Sequence, residues 1–116
     1  ELTFKFFYLP HGHGKTMGFM CNKFAYIIDC HEIPNQLLAE LREAKLELLL
    51  LDCVLESTHK THLWKERAFE YDDFIQARST GLIHISNKLD HDILEHDCKQ
   101  RRQGLFVTYD QLQLTL

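Results

Sequence analysis

Leu46-Glu47-Leu48-Leu49-Leu50-Leu51-Asp52 is the stretch that decides the fold. It has almost no alternation of apolar and polar residues, so it reads as a strand buried on both faces, the kind that occupies a parallel sheet covered by helices. Its neighbours agree. Upstream, Pro34 suits the first turn of a helix, and Leu37, Leu38, Leu41 and Ala44 carry helical spacing to about Lys45. Downstream, a second helix is predicted from about Leu63 to Ala77, with Trp64, Ala68, Tyr71 and Ile75 on one face. Gly81 then precedes a short strand, Leu82 to Ile85, and a polar third helix covers about Leu89 to Arg102, ended by Gly104. Strands alternating with helices argue for an α/β fold: a mixed sheet with about three helices, its parallel part wound right-handed.

On the N-terminal side, Leu2 to Leu9 reads as a strand and Pro10 to Lys15 as a glycine-bearing loop. Thr16 to Cys21 and Phe24 to Asp29 read as a hairpin joined by Asn22-Lys23. At the far end, Leu105 to Tyr109 and Gln111 to Leu116 read as a closing hairpin. No internal repeat, linker or low-complexity segment divides residues 1–116, which form one domain or half of one. With 45% hydrophobic and 26% charged residues, the composition excludes a disordered or collagen-like chain.

No run reaches the roughly 18 apolar residues of a membrane helix. Glu1-Leu2-Thr3-Phe4 lacks the basic region and cleavage site of a signal peptide, and enters strand-like sequence as though part-way through a fold. The four cysteines, at 21, 30, 53 and 98, form no C-x-x-C pair and are expected to be reduced thiols in a cytoplasmic protein. A net charge of −4 offers no electrostatic footprint for long nucleic acid and suits a small substrate better.

The exceptional number is 8 His, as many as Phe. In open α/β sheets, ligands collect outside the carboxyl ends of the strands. The predicted strand ends lead into His11-Gly12-His13, Asp29, Asp52 with the following His59-Lys60-Thr61-His62, and His84, with His31 just past Asp29. Neutral imidazoles with a carboxylate suit Zn or Mn. Each residue also has a structural alternative. Asp29 and Asp52 can cap turns, and His84 can be a satisfied core histidine. The i, i+4 pairs His91–Glu95 and Asp92–His96 read as a solvated helix face.

Gly14-Lys15-Thr16 after a strand invites comparison with a phosphate-binding loop. The pattern G-x-x-x-x-G-K-[ST] needs glycine at position 9, where this chain has Leu9. It also needs a helix next, whereas Met17-Gly18-Phe19-Met20-Cys21 reads as a strand.

Several stretches, in order, resemble the C-terminal half of metallo-β-lactamase-fold hydrolases. The likeness is to the phosphodiesterase branch that includes the carbon–phosphorus lyase accessory enzyme for phosphoribosyl cyclic phosphate. They are His11-Gly12-His13-Gly14-Lys15-Thr16-Met17-Gly18-Phe19, Tyr26-Ile27-Ile28-Asp29, Leu51-Asp52-Cys53, His59-Lys60-Thr61-His62-Leu63, Ile83-His84-Ile85-Ser86 and Tyr109-Asp110. The resemblance implies an αββα sandwich of which this chain is one half. It implies His11 as a ligand of one metal, Asp29 as a carboxylate bridging two, and His84 as a ligand of the second. It also implies His62, beside Thr61, as a general acid or phosphate-orienting group. His13, Asp52, His59 and Asn87 would stand in a supporting shell or touch substrate. The family's His-x-His-x-Asp-His is not among these residues: the only His-x-His continues as Gly14-Lys15-Thr16, and Asn87 stands where the branch has histidine.

The expectation is therefore a divalent-metal hydrolase, using Zn or Mn, of a small or cyclic phosphodiester, incomplete without a missing N-terminal half or a partner chain. The other reading is a non-catalytic or split half acting as an interaction module. In either case apolar surface is left for a partner or for assembly into a homo-oligomer.

Overall fold

The chain's fold is given by a computed structural model that describes residues 2–57 and 62–116. The leucine run does form a central strand. The elements are β1 (Phe4–His11), β2 (Gly14–Cys21), β3 (Phe24–Ile27), α1 (Asn35–Glu43), β4 (Leu48–Asp52), α2 (Lys65–Ile75), β5 (Ser79–Ile83), α3 (His91–Arg101) and β6 (Leu105–Val107). They build an α/β fold with one six-stranded sheet in the order β1-β2-β3-β4-β5-β6. β1, β2 and β3 pair antiparallel, and β3 to β6 pair parallel.

Strand order follows chain order from β3 to β6, so crossovers of one hand put all three helices on the same face. The core lies beneath them. Leu9, Ala25, Ile27, Leu49, Leu51, Leu82, Leu105 and Val107 from the strands form one buried cluster with Leu37, Leu41, Ala68, Tyr71, Ile75, Leu94 and Cys98 from the helices. The face without helices is apolar too. One cross-strand row runs Phe6, Phe19, Tyr26, Leu50, Gly81, Phe106. Phe6, Tyr8 and Met17 are 58%, 66% and 54% exposed, an aromatic surface with no helix over it. Gly81 is the low point of that row: a Cβ there would lie 3.0 Å from Leu50 Cδ2 and from Phe106 Cε2.

Four expectations change. The Pro10–Lys15 loop shrinks to a two-residue turn, because pairing continues to His11 opposite Gly14 and Gly12 takes φ 60°. The strand expected at Leu82 to Ile85 starts at Ser79 and stops at Ile83, in register with Leu48 to Asp52, leaving His84 just outside it. The third helix, read as polar, has a buried side, where Cys98 within α3 is fully buried with Leu94. Gln111 to Leu116 forms no hairpin. Among the described residues β6 pairs only with β5, and its Val107 N–H donates to Glu95 Oε2 at 2.7 Å, so an α3 side chain bonds the edge that a strand was expected to fill. The tail instead brings Leu112 and Leu114 to a cavity of about 380 Å³ shared with Leu50, Ile83 and His84.

At the amino ends of β5 and β6, Arg102 grips the buried Asp72 with two bonds, Nε to Oδ2 at 3.0 Å and a terminal nitrogen to Oδ1 at 2.7 Å. That terminal nitrogen also reaches Thr80 Oγ1 at 3.1 Å. Among the described residues, no helix is long and apolar enough to cross a membrane.

Candidate metal centre

β1, β3, β4 and β5 all run the same way, so their carboxyl ends open onto one edge of the sheet. Asp52 is the last residue of β4 and has no exposed surface. Its Oδ2 accepts the Leu63 N–H at 3.3 Å, and its Oδ1 lies 3.0 Å from His84 Nδ1. Asp29 and His84 follow β3 and β5 with φ of 55° and 65°. Both are left-handed, a conformation that costs energy in residues other than glycine and gathers at functional sites. There the chain leaves the sheet sharply and aims both side chains inward. Asp29 Oδ1 is 3.1 Å from His84 Nδ1.

His62 enters from the segment before α2. Leu63 beside it is fully buried and its carbonyl accepts Val54 N–H at 3.0 Å, which folds this segment back over the end of β4. His62 Nδ1 stands 3.5 Å from Asp52 Oδ2 and 3.9 Å from Asp29 Oδ1. One donor atom from each of Asp29, Asp52, His62 and His84 lies within 4.8 Å of all the others. Two carboxylates with two imidazoles are a donor set that Zn or Mn accepts, and the residues fit such a cation.

The electrostatics agree. Burial raises the Asp52 carboxyl above its ordinary range, while the hydrogen bond to His84 opposes the rise. Burial also raises the Tyr26 phenol, and the charges of Asp29 and Asp52 raise it further. A cation here relieves negative charge that the fold has concentrated. With its folded pKa raised, Asp52 adds stability at low pH, and that stability is lost as pH climbs through the raised value. Asp52→Asn keeps the acceptor for Leu63 and removes the buried charge. The metal-free variant is expected to gain on the order of 1 kcal/mol at neutral pH, with a flatter pH profile, while metal affinity falls. Urea melts in EDTA at several pH values check this. An unchanged profile would mean that Asp52 is not the titrating group.

Of the other candidates, His11 stands beside the four donors. His11 ends β1 with its ring 5.0 Å from that of His62, which is itself 5.0 Å from His84, so three imidazoles stand in a row. His13 is exposed at the β1–β2 turn, and Asn87 is exposed in the turn after Ile85; neither belongs to the four-donor group. His91 and His96 are exposed on α3. His59 and Thr61 lie outside the described residues. Asp52, which the sequence suggested only for a supporting place, is at the centre. The signal for it was a carboxylate closing the most apolar strand, a costly position unless the charge has a partner. Gly14 to Cys21 is a strand, which removes the phosphate-loop reading.

No protein-family model and no curated protein matches the sequence. Solved structures do. A diphosphatase of the PhnP family is 27% identical with a TM-score of 0.86, over 97% of this chain and 42% of its own. The metallo-β-lactamase fold protein YhfI of Bacillus subtilis matches at 16% identity and TM-score 0.75, over 92% of this chain and 46% of its own. This chain has half of a metallo-β-lactamase fold. Zinc-bound PqqB of Methylobacterium extorquens shares that fold, at 18% identity and TM-score 0.78, over 99% of this chain and 50% of its own. The chain thus spans about half the length of each of these metallo-β-lactamase-fold proteins.

Proposed function

We propose that this chain is the C-terminal half of a metal-dependent phosphodiesterase with two cations, acting on a small or cyclic phosphodiester. The observation that carries the reading is the four-donor group at the carboxyl edge of the parallel strands, in a half-fold 27% identical to a diphosphatase. His11, Asp29 and His84 are proposed as ligands, with Asp52 completing the set on this side. The complementary half, with its His-x-His-x-Asp-His, is proposed to come from further sequence or a second chain and to pack on the aromatic face of the sheet. When bound, the cations stabilise phosphoryl charge and activate water.

The chain's own residues do the rest. Asp29 would hold a cation together with His84, and its left-handed backbone keeps the carboxylate 3.1 Å from His84 Nδ1. Buried Asp52 holds the His84 ring through Nδ1. His62, whose ring is 5.0 Å from those of His11 and His84, would hand a proton to a leaving oxygen, a contribution of about 10²–10⁴ in rate. Four free thiols suit a reducing compartment, the cytoplasmic setting this reading takes.

The test mixes this chain with the non-matching part of the PhnP-family diphosphatase, made as a separate polypeptide, in the presence of Mn and bis(4-nitrophenyl) phosphate. Hydrolysis is expected in the mixture and at least 100-fold less with His62→Ala. No metal-dependent hydrolysis in any mixture, with no metal binding by the chain alone, would sink the enzyme. It would favour the second reading, an interaction module that uses the exposed aromatic row.

A further inference from the structure

The turn carrying His11 and the loop carrying Asp29 are far apart in sequence, and three hydrogen bonds close the gap between them. His31 N–H donates to Pro10 O at 3.1 Å, and Gly12 N–H donates to His31 Nδ1 at 3.2 Å. His31 therefore holds the peptide groups on both sides of His11. Thr16 Oγ1 donates to Asp29 O at 2.8 Å, spanning from β2 to the loop after β3.

These bonds act where burial does not. The Asp29 side chain is 42% exposed, so packing does not dictate where its carboxylate points. Its backbone decides, and a φ of 55° is a conformation that an L-residue leaves readily unless something holds it. The Thr16 hydroxyl pins the Asp29 carbonyl, and with it the peptide plane that sets the direction of the side chain. On the other side, His31 accepts from Gly12 through Nδ1. That atom is then engaged with the backbone and stands outside the four-donor group.

We propose that Thr16 and His31 are positioning residues that bring His11 and Asp29 into register as metal ligands. This rests on the reading of His11 and Asp29 as ligands. It gives the Gly14-Lys15-Thr16 stretch a use other than nucleotide binding, with Thr16 as a strand residue whose hydroxyl orders the ligand loop. Partners that orient metal ligands in this way are typically worth about 10–100-fold in affinity.

The experiment titrates the full chain with Co²⁺ and follows the visible absorption bands, beside thermal melts in EDTA. The variants are Thr16→Val and Thr16→Ser, then His31→Ala and His31→Asn. Thr16→Val and His31→Ala are expected to weaken Co²⁺ binding about 10–100-fold and to alter the bands. Thr16→Ser keeps the hydroxyl, and His31→Asn keeps an acceptor for Gly12 N–H without offering a good ligand, so both are expected to recover most of the loss. Metal-free midpoints should fall by no more than a few degrees, since each change removes a single hydrogen bond. Wild-type affinity and spectrum in Thr16→Val and His31→Ala would overturn the positioning role alone. A His31→Ala loss that Asn does not recover would overturn it too and make His31 a ligand. Failure of the wild-type chain to take Co²⁺ at all would overturn the ligand reading beneath it.

Discussion

Zinc or manganese is expected to raise the thermal midpoint of the wild-type chain, and Asp29→Ala to abolish that rise. At a free metal concentration of about 100 times Kd, binding to the folded state alone adds about 2.7 kcal/mol. For a chain of this size that is a shift of about 10 °C. Asp29 is the right residue to remove because it faces His84 at 3.1 Å and His62 at 3.9 Å while being 42% exposed. Its loss opens no cavity, whereas truncating fully buried Asp52 would disturb packing and metal together. Alanine is less at ease than aspartate at φ 55°, so Asp29→Ala also lowers the metal-free midpoint somewhat. Asp29→Asn tolerates that backbone and removes only the charge, and it should lose most of the metal response by itself. A full metal-induced rise in both variants would exclude Asp29 as a ligand.

Arg102→Ala is expected to cost about 3 kcal/mol, read as a lower urea midpoint with little change in slope. Asp72 is fully buried, and the Arg102 guanidinium, 30% exposed, satisfies both of its oxygens. Truncation leaves a carboxylate inside the protein without its cation, for which about 3–5 kcal/mol is typical; partial access of water at Arg102 argues for the lower end. Thr80 loses a partner in the same step. Against a total stability of about 5–15 kcal/mol this is a large fraction. Replacing both residues, Asp72→Leu with Arg102→Leu, should recover most of the loss, since an apolar pair needs no compensating charge. If Arg102→Ala melts like the wild type, the pair is not what joins α2 to the amino ends of β5 and β6. Because it lies at the other end of the strands from Asp29 and His84, metal affinity per folded molecule should be unchanged.

The two sets of residues were not equally readable. The unbroken apolar run through Leu51 announced a strand apolar on both faces, and the spacing of Leu37, Leu41, Ala68, Tyr71 and Ile75 announced the helices, which cover only one of those faces and leave Leu50 partly exposed on the other. Once strands were known to alternate with helices, strand ends became the place to look, and His11, Asp29 and His84 could be named. Asp52 was harder. A carboxylate at the end of a strand looks like a cap until its neighbours are known, and its contacts, Leu63 and His84, lie on other elements. Glu95 looked like half of a solvated helix pair because local spacing shows only its i, i+4 partner, not the edge of β6 that it reaches. Leu112, Leu114 and Leu116 alternate like a strand, but alternation does not supply a partner, and the edge they were expected to pair with is already bonded to a side chain.

The amino-acid sequence by itself determined the order of elements as far as β6, the crossing direction and so the edge at which the histidines and aspartates collect. Helix and strand periods are local, and the handedness of crossovers is common to all chains. Only the tertiary structure decided which of those residues meet. Donor distances depend on the register between β4 and β5, on the depth of Asp52, and on left-handed turns at Asp29 and His84, and no periodic pattern of side chains records them.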